Sequence, residues 1–182
     1  MSRIEAVIFD WAGTTVDYGC FAPVQAFKDA FNAYGIDPTF DQIREPMGML
    51  KIDHIKRMLE MPTINEAFKA KYNRNYNKKD IDKIYELFEA SLMAGITKHT
   101  DIKPYVIETV NKLKEMKIKI GSTTGYTDMM MEPVLKRAKE QGYCPDCWYS
   151  PDATNHLGRP YPYMIFKNIQ TLNVTSVKNV IK

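Results

Sequence analysis

The feature that most constrains the fold is a short apolar run that ends on an aspartate. Residues 4–9 are largely apolar and rich in β-branched side chains, and Asp10 is followed by Gly13 and two threonines. This pattern is typical of a buried strand that opens onto a polar loop. We therefore predict a strand near the start of the chain, with Asp10 at its carboxyl end.

After Pro104 the chain alternates between helical and strand patterns. Strands that alternate with helices at this spacing imply parallel βαβ units. The predicted fold class is therefore α/β, with a Rossmann-like core and a parallel sheet that this chain leaves incomplete. The predicted elements are a helix from Val106 to Met116, a strand over 118–125, a helix from Asp128 to Gln141, a brief strand near Trp148, a helix at about 161–172 and a strand at about 177–182.

Between the first strand and these units, residues 21–98 show only helical periodicity. Apolar side chains recur at spacings of three and four, as in Val24, Phe27, Ala30 and Phe31, and prolines separate the segments. Such spacing indicates amphipathic helices that pack together. We predict a helical cap domain over 21–98, inserted into a core formed by residues 1–20 and 99–182.

Composition and charge exclude several classes of protein. The formal charge is 25 − 22 = +3 with basic residues spread evenly, so we expect no nucleic-acid partner. No apolar stretch approaches the ~20 residues that cross a bilayer, and no export signal is visible, so we expect a cytoplasmic protein without membrane contact. Cys144 and Cys147 form a lone C-x-x-C pair without the further ligands of a structural zinc site.

Three segments place polar residues where the predicted strands and loops converge. Asp10 ends the first strand, Thr124 ends the second, and Arg159 lies in the loop before the final helix. In open α/β sheets, reactive loops lie at the carboxyl ends of the strands. Each signal is weak alone, because a Ser/Thr-Gly pair is usually only a turn.

Together, the segments Phe9 to Thr15, Ser122 to Gly125 and Gly158 to Pro162 resemble the first three motifs of the haloacid dehalogenase (HAD) superfamily. The resemblance implies that Asp10 attacks phosphorus, that Thr124 binds a phosphoryl oxygen and that Arg159 offsets negative charge. It also implies substrate contacts for Thr14 and Gly125. Mg²⁺ is the implied cofactor, held by the Asp10 carboxylate and the Ala12 carbonyl.

Most phosphatases of that superfamily carry a general-acid aspartate two positions after the nucleophile, where this sequence has Ala12. The segment from Asp10 to Pro23 instead resembles the phosphonatase family, which cleaves a carbon–phosphorus bond. That reaction needs an electron sink, which a lysine Schiff base supplies.

The segment from Glu45 to Ile55 resembles the phosphonatase cap motif. It implies that Lys51 forms the imine and that His54, three residues later, transfers protons. The resemblance assigns supporting positions in the substrate site to Cys20, Met47, Gly48 and Tyr126. The implied reaction converts phosphonoacetaldehyde to acetaldehyde and phosphate through a Schiff base and an aspartyl phosphate.

The superfamily's fourth motif is an acidic, metal-binding loop that would follow Lys182. We therefore expect weakened Mg²⁺ binding, and we expect an exposed edge strand at 177–181 that favours a homodimer. Three interpretations stay open: a phosphonatase, a non-catalytic remnant that binds phosphate or a partner chain, and another phosphatase of the superfamily. Whether this chain is an enzyme is left open with them.

Overall fold

The computed structural model describes residues 4–17 and 20–182. The chain forms two units: one combines Met1–Cys20 with Thr97–Lys182, and the other is Phe21–Ile96. The strands are β1 (Ala6–Asp10), β2 (Lys119–Thr123), β3 (Cys147–Tyr149) and β4 (Val180–Ile181). The helices are α1 (Phe21–Ala33), α2 (Phe40–Arg44), α3 (Lys51–Glu60), α4 (Pro62–Tyr72), α5 (Lys78–Gly95), α6 (Val106–Glu115), α7 (Asp128–Glu140) and α8 (Tyr163–Thr171). Short 3₁₀ turns span Ile96–His99, Pro151–Thr154 and Val177–Asn179.

The first unit is built on a sheet whose described strands are all parallel and run in the order β3-β2-β1-β4. Ile8 and Ile120, at the centre of the sheet, are fully buried. Helix α6 packs on β2, and α8 packs on β1, β2 and β3. The predicted α/β class with a parallel sheet is confirmed.

The second unit is helical throughout its described length, from α1 to α5. Helices α1 and α5 pack along each other, with the Phe27 and Phe88 rings stacked at a centroid distance of 4.2 Å. Capping boxes at Thr39 and Asn77 satisfy free amides at the start of α2 and α5. No helix in the described ranges is long and apolar enough to cross a membrane.

A buried carboxylate fastens α5 to the chain that precedes it. Asp80 is 3% exposed and accepts two hydrogen bonds from Arg74, at 2.6 and 2.7 Å, and one from the Asn77 amide at 2.8 Å. The Tyr34 hydroxyl also donates to it. The bonds from Arg74 are the main reason that the pKa of Asp80 lies well below its usual value. The second unit thus contains a fully hydrogen-bonded buried anion.

The two chain segments that flank the helical unit in sequence pair with each other inside the first unit. Residues 15–17 and 101–103 run antiparallel, with a bridge between Val16 and Ile102. Two hydrogen bonds join the segments: the Lys103 amide donates to the Thr15 carbonyl at 3.0 Å, and the Asp17 amide donates to the Asp101 carbonyl at 3.3 Å. The Ile102 amide donates instead to the Gln141 side chain at 3.0 Å. The chain therefore leaves and re-enters this unit at one place.

Several element boundaries differ from the sequence prediction. The second strand, predicted over 118–125, is limited to Lys119–Thr123, and α6 and α7 each end one residue earlier than predicted. The final helix begins at Tyr163 and not at about 161, because the Tyr161 amide closes a turn onto the Gly158 carbonyl and Pro162 occupies the N-cap position. The last strand is limited to Val180–Ile181. The Ser176 hydroxyl accepts a hydrogen bond from the Lys178 amide, and residues 177–179 form a 3₁₀ helix instead of a strand. What remains of this strand pairs with β1, as the family strand order implies.

Candidate active site

The carboxyl ends of three strands meet at one edge of the sheet. Asp10 is paired in register with Thr123, and Thr123 with Tyr149. The Thr124 amide, directly after β2, donates to the Tyr149 carbonyl at 3.2 Å. The first unit therefore presents Asp10 and Thr124 at neighbouring strand ends, where open α/β sheets carry their reactive loops.

Arg159 reaches the carboxylate of Asp10 with both terminal nitrogens. Nη1 donates to Oδ2 at 2.8 Å and Nη2 donates to Oδ1 at 3.0 Å, while the Trp11 amide donates to Oδ1 at 2.8 Å. The two charged side chains are 26% and 28% exposed. This bidentate arrangement fixes the direction of the carboxylate and places a permanent positive charge against it.

The loop after Asp10 is a tight turn closed by its own backbone. The Trp11 carbonyl accepts the amides of Thr14 and Thr15 at 3.0 and 2.9 Å, and the Thr15 hydroxyl donates to the Asp10 carbonyl at 3.1 Å. Gly13 has φ +82°, which favours glycine. The turn leaves Thr14 exposed, next to the strand end that carries Asp10.

A second group of predicted residues lies behind this turn. A Cβ atom on Gly13 would lie 2.5 Å from the Sγ of Cys20, so the glycine makes room for the thiol. Tyr126 is 3% exposed, and burial, followed by the negative charges of Asp17, Cys20 and Asp10, raises its pKa well above the usual value. Its hydroxyl therefore keeps its proton to higher pH than that of an ordinary tyrosine.

The Thr124 hydroxyl is fixed by the turn that leads into α7. Its Oγ1 accepts the Tyr126 amide at 3.0 Å, which leaves the hydroxyl hydrogen for another acceptor. Gly125 lies between them, and the Thr127 side chain caps the first turn of α7. Thr124 is only 2% exposed, so its hydroxyl is held in one place.

Lys51 and His54 form a buried pair in the helical unit. Lys51 is the first residue of α3 and is 4% exposed, with Nζ 5.7 Å from the centre of the Phe27 ring. His54 is fully buried and stacks on the same ring at 3.9 Å. The Nε2 of His54 lies 2.9 Å from the Ile43 carbonyl. Lysines are mostly exposed, so the burial of Lys51 distinguishes it from an ordinary surface lysine.

Met47 and Gly48 lie in the turn between α2 and α3. The Met47 amide donates to the Arg44 carbonyl at 3.1 Å, and Gly48 has φ +99°. A side chain at Gly48 would be strained in this conformation. The turn therefore sets the direction in which α3, and with it Lys51, begins.

The environment of His54 fixes its protonation state. A carbonyl can only accept, so Nε2 carries the hydrogen that is donated to Ile43, and Nδ1 holds a lone pair. Burial, followed by the charge of Lys51, lowers the pKa of His54 to about 3. The imidazole is therefore neutral near pH 7 and has one nitrogen able to accept a proton.

We expect the helical unit to lose stability in acid through His54. Because its pKa falls from 6.5 unfolded to about 3 folded, its contribution is complete above pH 6.5 and decreases as the pH falls toward 3. The expected loss is about 1.4 kcal/mol per pH unit. Urea denaturation followed by circular dichroism should show this slope, and His54→Gln, which can still donate to Ile43, should remove most of it. An unchanged slope in the variant would contradict the assignment.

The donors that could hold Mg²⁺ are few. Within residues 4–17 and 20–182 there is no group of three Asp, Glu, His or Cys side chains placed to bind a metal ion. Both carboxylate oxygens of Asp10 are bonded to Arg159, and Ala12 offers only its backbone carbonyl. Since Mg²⁺ prefers six oxygen ligands, these donors alone do not fit a dedicated magnesium site.

The predicted residues fall into two groups, one in each unit. The first unit brings together Asp10, Ala12, Thr14, Cys20, Thr124, Gly125, Tyr126 and Arg159. The second holds Met47, Gly48, Lys51 and His54. Tyr18 and Gly19, which belong to the motif after Asp10, lie outside the described residues.

Two residues that the sequence did not single out take part in the first group's framework. The Lys103 amine donates to the Gly13 carbonyl at 2.5 Å and so holds the turn after Asp10; no pattern in the sequence marks it. Asn168 is fully buried on α8. It lies midway between Met164 and Leu172 at a spacing of four, so a polar residue on an apolar helix face was a signal that could have identified it.

Comparison with known proteins shows the family to which this chain belongs. A family model described as a haloacid dehalogenase-like hydrolase matches residues 4–181, so the chain belongs to the haloacid dehalogenase-like hydrolases. The chain is 49% identical to a phosphonoacetaldehyde hydrolase of Lysinibacillus sphaericus over 180 residues, 99% of this chain and 67% of that protein. It is 52% identical to one of Parabacteroides distasonis over 183 residues, 100% of this chain and 69% of that protein. Within the superfamily it therefore belongs to the phosphonoacetaldehyde hydrolase family.

A solved structure supports the same grouping. The structure of a phosphonoacetaldehyde hydrolase-like protein from Oleispira antarctica superposes with a TM-score of 0.92 at 40% identity, covering 98% of this chain and 64% of that one. The chain thus spans about two thirds of the length of the relatives it matches.

Proposed function

We propose that the protein hydrolyses the carbon–phosphorus bond of phosphonoacetaldehyde, giving acetaldehyde and phosphate. The observation that carries this proposal is Lys51, a residue only 4% exposed, three positions before the neutral His54 on the same helix. An amine can form an imine with an aldehyde substrate, whereas hydrolysis of a phosphate ester involves no imine. The names of relatives at 49% and 52% identity point to the same substrate.

In the proposed first step, the Lys51 amine adds to the aldehyde carbon and water leaves, so that an imine forms. The Nδ1 of His54 takes up and returns the protons of this addition, because Nε2 is bonded to Ile43. The protonated imine then withdraws electrons from the carbon that bears phosphorus.

In the proposed second step, a carboxylate oxygen of Asp10 attacks phosphorus and the carbon–phosphorus bond breaks. Its electron pair passes to carbon, forming an enamine on Lys51, and the carboxylate becomes an aspartyl phosphate. The hydroxyl of Thr124 donates to a phosphoryl oxygen and Arg159 neutralises negative charge. Protonation of the enamine carbon and hydrolysis release acetaldehyde, and water releases phosphate from Asp10.

Imine formation, attack on phosphorus and stabilisation of charge are assigned to side chains of this chain. The Mg²⁺ ligands expected from sequence, Asp10 and the Ala12 carbonyl, stay a prediction, as does the homodimer.

Borohydride reduction in the presence of phosphonoacetaldehyde tests the proposal. We expect a stable adduct on Lys51, located by peptide mass spectrometry, together with phosphate release in the absence of reductant. Lys51→Arg keeps the charge but cannot form an imine, so it should lose both the adduct and the phosphate release. Lys56→Arg, on the exposed side of the same helix, is the matched control and should behave as the unmodified protein.

Two results would contradict the proposal. The first is labelling of a lysine other than Lys51. The second is hydrolysis of a phosphate ester that exceeds turnover of phosphonoacetaldehyde and is unaffected by Lys51→Arg, which would identify an ordinary phosphatase.

A further inference from the structure

Asn168 is a fully buried polar side chain that joins a helix to the central sheet. Its Nδ2 donates to the Ser122 carbonyl at 3.0 Å and to the Met164 carbonyl at 2.8 Å. Its Oδ1 accepts the Ser122 amide at 3.0 Å and the Cys147 thiol at 3.2 Å. One amide therefore binds both backbone groups of a β2 residue as well as the neighbouring strand β3. The groups of Asn168 that can form hydrogen bonds are all used in this way.

The sheet is shaped to receive this side chain. Gly121 precedes Ser122 in β2, and a Cβ atom there would lie 2.4 Å from the Oδ1 of Asn168 and 3.1 Å from its Cγ. Because Asn168 is buried and bonded, it could not move aside at low cost. A glycine in a strand interior weakens the strand, so its place here is explained by the close approach of Asn168.

The helix that Asn168 holds also carries the Arg159 loop. Arg159 lies four residues before α8, and Pro160 and Pro162 restrict the backbone between them. The Tyr161 amide donates to the Gly158 carbonyl at 3.0 Å, which closes the turn. A shift of α8 on the sheet should therefore move the Arg159 backbone by a similar distance.

The same bond network sets the other side of the site. Ser122 lies two residues before Thr124, and its hydroxyl donates to the Phe9 carbonyl at 2.8 Å, one residue before Asp10. Asn168 thus fixes α8 to the strand segment that also orders the ends of β1 and β2.

We infer that Asn168 is a positioning residue that holds Arg159 against Asp10 by fastening α8 to Ser122 and Cys147. As a role in catalysis, this inference rests on the proposed function. A misplacement of about 1 Å in such a site costs on the order of 100-fold in rate. We therefore expect Asn168→Leu, which keeps the volume and removes the hydrogen bonds, to lower kcat/KM for phosphonoacetaldehyde by about that factor.

The experiment combines a double-mutant cycle with a measurement that does not depend on turnover. If Asn168 acts through Arg159, then adding Asn168→Leu to the Arg159→Ala variant should lower kcat/KM by less than about a further threefold. In arginine side-chain ¹⁵N NMR, the Nη–H signals of Arg159, assigned by their absence in Arg159→Lys, should be sharp in the unmodified protein and exchange-broadened in Asn168→Leu. Leu172→Ala, which loosens the same helix without breaking a hydrogen bond of Asn168, should lose stability but keep the Arg159 signals.

Gly121→Ala provides a second route if Asn168→Leu does not fold. It removes no hydrogen-bonding group, yet it should displace Asn168 and weaken the Arg159 signals in the same way. Unchanged Arg159 signals in both variants would overturn the inference. So would a double variant whose loss of kcat/KM equals the product of the losses caused by Asn168→Leu and Arg159→Ala alone. Loss of the signals in a protein that does not hydrolyse phosphonoacetaldehyde would support the positioning role and refute the proposed function instead.

Discussion

Asp10→Asn is expected to abolish phosphate release while Lys51 remains open to borohydride trapping. Asparagine keeps the size of the side chain but removes the nucleophile and the ion pair with Arg159. Loss of a nucleophile typically costs about 10⁴-fold or more in kcat. The trapped group distinguishes the two steps: in this variant it should retain phosphorus on every labelled Lys51, whereas the unmodified protein should also give an ethyl group derived from acetaldehyde.

Two further variants test whether the expected loss is specific to the Asp10 carboxylate. Asp10→Ala should behave in the same way and excludes a return of aspartate through deamidation. Asp101→Asn, at an exposed carboxylate in the same unit, should keep phosphate release within about twofold, because exposed ion pairs contribute little. Phosphate release within tenfold of the unmodified protein in both Asp10 variants would show that another group attacks phosphorus.

The largest expected effect on stability is that of Asp80→Asn in the helical unit. The substitution breaks the bidentate pair with Arg74 and leaves a guanidinium facing a neutral amide. Removing one partner of a buried pair costs about 3 kcal/mol or somewhat more, and Arg74 is 44% exposed, so we expect the lower end. Urea denaturation at pH 7 should show this decrease, and Asp82→Asn, which breaks the exposed pair with Lys78, should change stability by less than about 0.5 kcal/mol.

The contribution of Asp80 should also depend on pH in a definite direction. Its pKa is lowered in the folded protein from a usual value of 3.8, so its stabilising effect is complete well above pH 3.8 and decreases as the pH falls below it. The difference between the unmodified protein and Asp80→Asn should therefore begin to shrink only below about pH 3.8, near the lower end of the range in which His54 acts. A difference that stayed constant down to pH 2 would contradict the charge-based explanation.

Much of the first unit could be predicted because it depends on local patterns. Apolar runs that end on Asp10 and on Thr124 predicted two neighbouring strand ends, and the structure pairs Asp10 with Thr123, directly before Thr124. The loop with Arg159 was identified by its motif, and the structure brings its guanidinium to the carboxylate. These residues are set by strand order and chain direction, which the sequence pattern expresses directly.

The framework that fixes these side chains could not be predicted in the same way. Asn168 meets Ser122 across 46 positions of sequence, and Lys103 meets Gly13 across 90. Such contacts depend on how helices settle on the sheet, and single-residue patterns carry little information about that. The short 3₁₀ turn at 177–179 was also missed, since one serine hydroxyl outweighs an apolar, strand-like run.

The antiparallel pairing of residues 15–17 with 101–103 has a consequence for how this architecture can vary. These hydrogen bonds lie within the sheet unit, so the chain between the two segments forms a loop with both ends held in place. The entropy cost of closing a loop grows only with the logarithm of its length, so a longer or shorter loop changes the stability of the sheet little. We therefore expect insertions, deletions or exchange of the intervening helices to leave the register of β1 and β2 intact. The short antiparallel ladder thus separates variation in the intervening helices from the sheet edge that carries Asp10 and Thr124.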